Sequence, residues 1–236
     1  MIRHITPTGL IALLISSAAA NAAEPVSSLF YGFQAEQLEI RKQGGSEVLA
    51  WDFDAIAGTD ELKGVIRSEG EYDFQEDEFE TFEVQLRGAI PVTPFFDAIA
   101  GLRLDASEGS SRADGVIGFH GLAEQWVEVD LDLFVSDDPS FRFEAEYEGL
   151  ITNRITLVPS IEVELPLTND ASRDFGAFGP ILEVGARLSY DVVDRAFSPY
   201  IGVHYEFALG ETADAIRAGG GDTDALFAVV GARMMF

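Results

Sequence analysis

The sequence predicts an all-β chain, closed into an antiparallel transmembrane barrel of about twelve strands, and three patterns carry that prediction. Apolar residues step by two, with polar residues between them, along nearly all of the chain past residue 28. A short apolar leader opens the chain, and no later stretch approaches the ~20 apolar residues that a membrane helix needs. The last run ends on Phe236, and its edge of backbone donors and acceptors must find a partner because lipid offers none.

The leader holds Arg3, an apolar run over Gly9–Ile15 and small residues ending Ala20-Asn21-Ala22. This is the pattern of a secretory signal peptide over residues 1–22, cleaved after Ala22, with a barrel over 23–236. Without Arg3 the chain keeps 14 basic residues against all 41 acidic ones, and its formal charge moves from −26 to −27. Such a charge argues against nucleic acid as a partner and for cations or basic partners. There is no cysteine, hence no disulfide framework and no thiolate metal site.

The strands follow in order. The first lies near Leu29–Ile40, although Leu38 and Ile40 break the parity set by Tyr31, Phe33 and Ala35. In the second, Leu49, Trp51, Phe53, Ala55 and Ala57 oppose Asp52 and Asp54. Leu62, Gly64 and Ile66 oppose Lys63, Arg67, Glu69 and Glu71; Phe82, Val84 and Leu86 oppose Glu83, Gln85 and Arg87. Phe96, Ala98, Ala100, Leu102 and Leu104 oppose Asp97, Arg103 and Asp105, and Ile117 and Phe119 oppose His120, with Val116 and Leu122 blurring that strand.

The seventh run is the most regular, with Val127, Val129, Leu131, Leu133 and Val135 around Glu128, Asp130 and Asp132. Phe141, Phe143, Ala145 and Tyr147 alternate with Arg142, Glu144, Glu146 and Glu148. Ile161, Val163 and Leu165 oppose Ser160, Glu162 and Glu164; Leu182, Val184 and Leu188 oppose Glu183, Arg187 and Ser189. Ile201, Val203, Tyr205 and Phe207 oppose Tyr200, His204 and Glu206. The terminal strand, Asp224–Phe236, puts Leu226 to Phe236 on one parity and Phe227, Val229, Gly231, Arg233 and Met235 on the other. Pairing it with the first strand closes the ring.

Short connections at Gly58–Asp60, Ile90–Pro94, Ala123–Gln125, Ile151–Asn153 and Asp194–Arg195 alternate with longer ones at Asp73–Glu78, Ser107–Arg112, Asn169–Gly179 and Glu211–Thr223. Short turns on one rim and long loops on the other are the outer-membrane pattern, with both termini periplasmic. Aromatic residues near strand ends (Trp51, Phe96, Trp126, Tyr190, Tyr200, Phe236) read as interface girdles in contact with outer-membrane lipid. A soluble sandwich would alternate in the same way, but its strands usually run to about five or six residues.

With the apolar parity on lipid, the other parity lines a lumen. Glu36, Asp52, Glu69, Glu83, Asp132, Glu144, Glu146, Glu162 and Glu183 make that lumen acidic, and Arg67, Arg87, Arg103, Arg142, Arg187 and Arg233 partly cross-link it. Such a wall attracts cations and rejects anions. His120 and His204 both face inward, on strands nearly opposite one another, so they do not share one centre. Each has carboxylates near it: Glu128 and Asp130 for His120, Glu206 for His204. An imidazole with one or two carboxylates suits Cu(II) or Zn(II), and the inward Met235 offers a thioether to Cu(I). A structural histidine–carboxylate pair is the plainer alternative.

Tyr31-Gly32-Phe33-Gln34-Ala35-Glu36-Gln37-Leu38-Glu39-Ile40-Arg41, Ala50-Trp51-Asp52, Leu62 through Ser68-Glu69-Gly70-Glu71 and Phe143-Glu144-Ala145-Glu146-Tyr147-Glu148 resemble the barrel domain of copper resistance protein B. Pro199-Tyr200-Ile201-Gly202-Val203, Gly210-Glu211-Thr212-Ala213-Asp214 and Val230-Gly231-Ala232-Arg233 continue the resemblance to the end. It implies an outer-membrane barrel that binds copper or helps to expel it from the periplasm. Many family members carry a segment rich in Met and His before the barrel. Here Ala23–Ser28, without His or Met, stand in that place, so either a periplasmic copper-binding partner does the capturing or the metal differs.

Two functions follow as expectations: copper handling through the acidic lumen, with copper as ligand or substrate and no organic cofactor, and a general cation-selective pore without specific ligands. An enzyme needs a positioned nucleophile and base. Ser160 and Ser189 face inward without a histidine at a matching level on a neighbouring strand, so the chain reads as no enzyme.

Overall fold

The computed structural model describes residues 28–107, 110–193 and 195–236. The leader expected over 1–22 lies outside the described residues. The remainder is one antiparallel sheet that runs fully around: β1 (Phe30–Gln43), β2 (Ser46–Gly58), β3 (Lys63–Asp73), β4 (Glu78–Pro91), β5 (Phe96–Ser107), β6 (Ser110–Leu122), β7 (Val127–Val135), β8 (Ser140–Tyr147), β9 (Gly149–Leu150), β10 (Ile155–Pro166), β11 (Ile181–Tyr190), β12 (Phe197–Ala208) and β13 (Asp224–Met235). β8 and β9 pair with the same neighbour, β10, and form one strand interrupted at Glu148. Counted around the wall, the barrel has twelve strands.

Closure runs through the two chain ends. β1 pairs with β13, with Gln34 opposite Met235 and Lys42 opposite Ala228. Phe236 adds two backbone bonds beyond the strand: its N–H donates to the Phe33 carbonyl at 2.9 Å, and its carbonyl accepts from the Phe33 N–H at 3.0 Å. The terminal edge therefore has partners along its length, as a wall in lipid requires.

The burial pattern is inside out, and it decides between barrel and sandwich. Arg103, Glu83, Gln85 and Glu39 are among the largest fully buried side chains, whereas Leu86, Leu102, Ile117 and Ile201 stand exposed on the outer face. A soluble sandwich would bury the second group. Here the apolar band faces lipid, gaining roughly 25 cal/mol for each Å² it keeps from water.

The parity break in β1 has a local cause. Ala35 opposes Phe53 and Gln37 opposes Asp52 on β2, so one extra residue sits between them. The register with β13 slips over the same stretch. Glu36 is accommodated as a bulge, and beyond it Leu38 and Ile40 return to the lipid face while Gln37, Glu39 and Arg41 turn inward.

Val116 blurs β6 because it also points inward. It is 1% exposed and lies opposite Phe134 of β7, which is fully buried on the lumen parity. Tyr200 departs from the girdle expected for it: it is 4% exposed, and its hydroxyl donates to Glu39 Oε2 at 2.8 Å inside the barrel.

The rims differ less evenly than the sequence pattern implies. β3 and β4 run on to Asp73 and Glu78, β5 reaches Ser107 and β6 begins at Ser110, so the expected loop over Ser107–Arg112 is mostly strand. The asymmetry rests on two connections, 167–180 and 209–223. The second contains a helix, α1 (Gly210–Gly219), ended by Gly220 in the left-handed region at φ 88°. Thr212 of α1 donates to the Gly179 carbonyl at 2.6 Å and accepts from the Gly176 N–H at 3.0 Å. These bonds tie the helix to the 167–180 loop. That loop is also held to the wall by Arg173–Asp105 at 2.7 Å and Arg112–Asp170 at 3.2 Å. Both long connections therefore fold over the same mouth.

Candidate functional site

Period two brings the polar parity of every strand into one space, and cross-strand register then decides which charges meet. On the β3–β8 side the charges lock together. Arg87 Nη2 bonds Asp132 Oδ2 at 2.6 Å, and Arg103 Nε bonds Asp114 Oδ2 at 2.7 Å. Arg142 on β8 spans the lumen to Glu69 of β3 at 3.0 Å and Glu83 of β4 at 3.2 Å. The Phe134 ring fits between two of these cations, with the Arg103 guanidinium 3.5 Å from its centroid and that of Arg142 at 5.1 Å. Pairing of this kind allows a buried guanidinium to persist away from water.

At the seam a second cluster forms around Glu39. It accepts from Arg187 Nε at 2.8 Å and Nη2 at 2.7 Å, from Arg41 Nε at 2.8 Å and from the Tyr200 hydroxyl. Arg41 continues to Glu71 and lies 3.2 Å from His204 Nε2.

Between these clusters two cavities open. The first, of ≈ 330 Å³, lies toward the mouth under the long connections and is lined by Phe175 among others. Twelve carboxylates face it against four arginines. Register aligns Glu144, Glu162, Glu183 and Glu206 as direct neighbours on β8, β10, β11 and β12. Like charges directly opposite destabilise a sheet, so this row costs the wall stability and gives the lumen a cation-seeking face.

The second cavity, of ≈ 390 Å³, opens toward the rim that carries both chain ends and is lined by Lys63, Asp97, His120, Met235 and Phe236 among others. Glu36, Arg67, Glu128 and Asp130 line both cavities and mark where they meet.

The sequence-derived metal candidates separate accordingly. His120, Glu128, Asp130 and Met235 line the second cavity, and His204 and Glu206 the first. His120 Nδ1 lies 3.0 Å from Asp130 Oδ2, and Nε2 lies 3.7 Å from Glu128 Oε1. The two carboxylates thus bracket the ring instead of converging on one nitrogen. In this arrangement Asp130 orients the imidazole, leaving Nε2 and Glu128 as donors of the pair toward a metal. His204 is engaged by Glu183 at 3.2 Å, on the next strand, as well as by Arg41. Among the described residues no three His, Asp or Glu side chains form a metal-holding set.

Of the lumen charges read from the sequence, Glu36, Asp52, Arg67, Glu69, Arg87, Glu144, Glu146, Glu162, Glu183 and Arg187 line the cavities. Glu83, Arg103 and Asp132 are sealed in the β3–β8 lattice, and Arg233 pairs with Glu146 and Glu148. Sequence reasoning missed Glu39, Arg41 and Phe134. The first two are hidden by the bulge, whereas Phe134 sits openly on the acidic parity of β7. The serines are occupied: Ser160 Oγ accepts from Arg187 at 3.3 Å, and Ser189 donates to the Thr156 carbonyl at 3.3 Å.

Comparison with known proteins agrees with this architecture. The chain is 35% identical to copper resistance protein B of Escherichia coli over 213 residues, covering 89% of this chain and 71% of that protein. It is 32% identical to a copper resistance protein B homolog of Pseudomonas syringae pv. tomato over 206 residues, 86% of this chain and 69% of that one. Among solved structures the NanC porin aligns over 87% of this chain and 99% of its own, with a TM-score of 0.52 at 12% identity, which bears on the fold alone. The barrel is thus of the outer-membrane kind, and its relatives support a role in copper resistance. Residues 29–236 match the family described as "Copper resistance protein B precursor (CopB)", and the chain belongs to that family.

Proposed function

We propose that the protein handles copper as a bare cation inside its lumen, admitting it from the periplasm at the rim that holds both chain ends, binding it at His120 and passing it into the acidic chamber. The observation that carries this reading is the second cavity, where His120 Nε2 faces Glu128 while Asp130 takes Nδ1 and Met235 lines the same space. An oriented imidazole with a carboxylate and a nearby thioether offers donors to both oxidation states of copper. The excess of carboxylates in the first cavity then holds the ion electrostatically without fixing it, which a conducting path requires. A periplasmic copper-binding protein that delivers the ion fits this direction of entry.

A general cation pore is the second reading, favoured by the lack of any three-ligand set among the described residues. Copper titration of the refolded barrel, followed by electron paramagnetic resonance, separates the two. Saturable binding with nitrogen coupling that His120→Ala removes supports copper handling. Weak binding unchanged by that substitution and abolished by salt leaves only the general pore.

A further inference from the structure

We infer that Arg67 is the gate of the lumen, a tethered cation occupying the point that a passing ion must cross. This rests on the reading of the lumen as a cation path and adds the residue that controls it. The two cavities meet along the lumen, and of the four side chains lining both, Arg67 is the sole cation.

Arg67 is 5% exposed, and its guanidinium sits among carboxylates from four strands: Asp54 on β2 at 3.3 Å, Glu69 on its own β3 at 3.6 Å, Asp130 on β7 at 3.6 Å and Glu144 on β8 at 3.7 Å. Those partners stand on both sides of the lumen, so Arg67 reaches across it. The contacts are long for charge-assisted bonds, which close to about 2.7–2.9 Å. Nη1 of Arg67 and Oδ1 of Asp130 are both buried without a hydrogen-bond partner. Arg87 Nη2 and Arg103 Nε, bonded to aspartates at 2.6 Å and 2.7 Å, show the tight alternative in the same barrel. Arg67 is held by many loose attractions and no tight one, which suits a group that has to yield.

A divalent cation arriving among Asp54, Glu69, Asp130 and Glu144 satisfies the same carboxylates with two charges instead of one, and the guanidinium swings aside. Anions meet the acidic chamber on the far side. The gate therefore sets both the resting conductance and the preference for multivalent cations.

The test is single-channel recording in planar bilayers, in potassium chloride and then with calcium as a divalent probe, on the parent, Arg67→Gln, Arg67→Lys and Arg103→Gln. Arg103 lines neither cavity, so its variant controls for damage to the charge lattice. The expected result is a several-fold rise in potassium conductance for Arg67→Gln, an intermediate rise for Arg67→Lys and none for Arg103→Gln. Calcium should pass the parent better, relative to potassium, than it passes Arg67→Gln. Equal potassium conductance in the parent and Arg67→Gln, with both folded as judged by their heat-dependent gel shift, would overturn the proposal. A raised conductance in Arg67→Gln with no copper bound by the parent would support the gate and sink the copper-binding reading instead.

Discussion

Arg187 of β11 grips Glu39 of β1 with two bonds, 2.8 Å and 2.7 Å long, and so spans β12 and β13 to tie together the two sides of the β1–β13 seam. This clamp lies inside the wall that the chain closes last in sequence. Both side chains are nearly fully buried, and removing one partner strands the other without water.

Glu39→Gln should therefore lower the stability of the folded barrel by about 3–5 kcal/mol, with Arg187, Arg41 and Tyr200 left short of an acceptor. Replacing Glu39 and Arg187 together with methionine should cost less than the sum of the two single changes. Urea midpoints of the barrel refolded in detergent, followed by tryptophan fluorescence, measure this; additive losses in the double variant would refute the clamp.

Phe134→Ala should cost roughly 3–5 kcal/mol, since it empties a buried site and takes the aromatic face from Arg103 and Arg142. Phe134→Leu, which keeps most of the volume, should recover part of the loss but not the cation–π share. The same urea series reads both, and a Phe134→Leu variant as stable as the parent would show that the ring face is idle.

Asp130→Asn should weaken copper binding about 10–100-fold while His120 stays in place, because an orienting carboxylate acts through the imidazole. His204→Ala should leave that binding nearly unchanged, its ring being already engaged by Glu183 and Arg41. Isothermal titration of each refolded variant with copper(II) decides the matter. A larger effect from His204→Ala than from His120→Ala would move the site to the other chamber.

Neutralising two of the aligned carboxylates, Glu162→Gln with Glu183→Gln, should reduce the cation preference of any conductance and flatten its dependence on ionic strength. Reversal potentials across a potassium chloride gradient report it.

Much of the barrel was legible because lipid imposes a rule on every residue of a strand: outward positions must be apolar, and period two then writes the topology into the sequence. Trp51, Phe53, Leu131 and Val163 follow that rule. The interior obeys no such rule. Which carboxylate meets which arginine depends on register between strands far apart in sequence, as for Arg142 with Glu69, and alternation carries no record of it. Glu39 and Arg41 were lost for a narrower reason, since one inserted residue desynchronises the count. The helix α1 was concealed because ten residues of a surface connection need no periodic pattern, although Glu211 in its first turn and the glycines from Gly219 onward are helix punctuation.

The same bulge has an evolutionary side. Because Ala35 and Gln37 already sit opposite consecutive residues of β2, a chain lacking Glu36 would still pair every later residue as it does now, with each side chain facing the same way. Glu36 can thus be gained or lost by a single codon without disturbing the wall, and it lands where the two chambers meet. Lineages of this barrel could retune their innermost passage by insertion and deletion, leaving every other residue in its place.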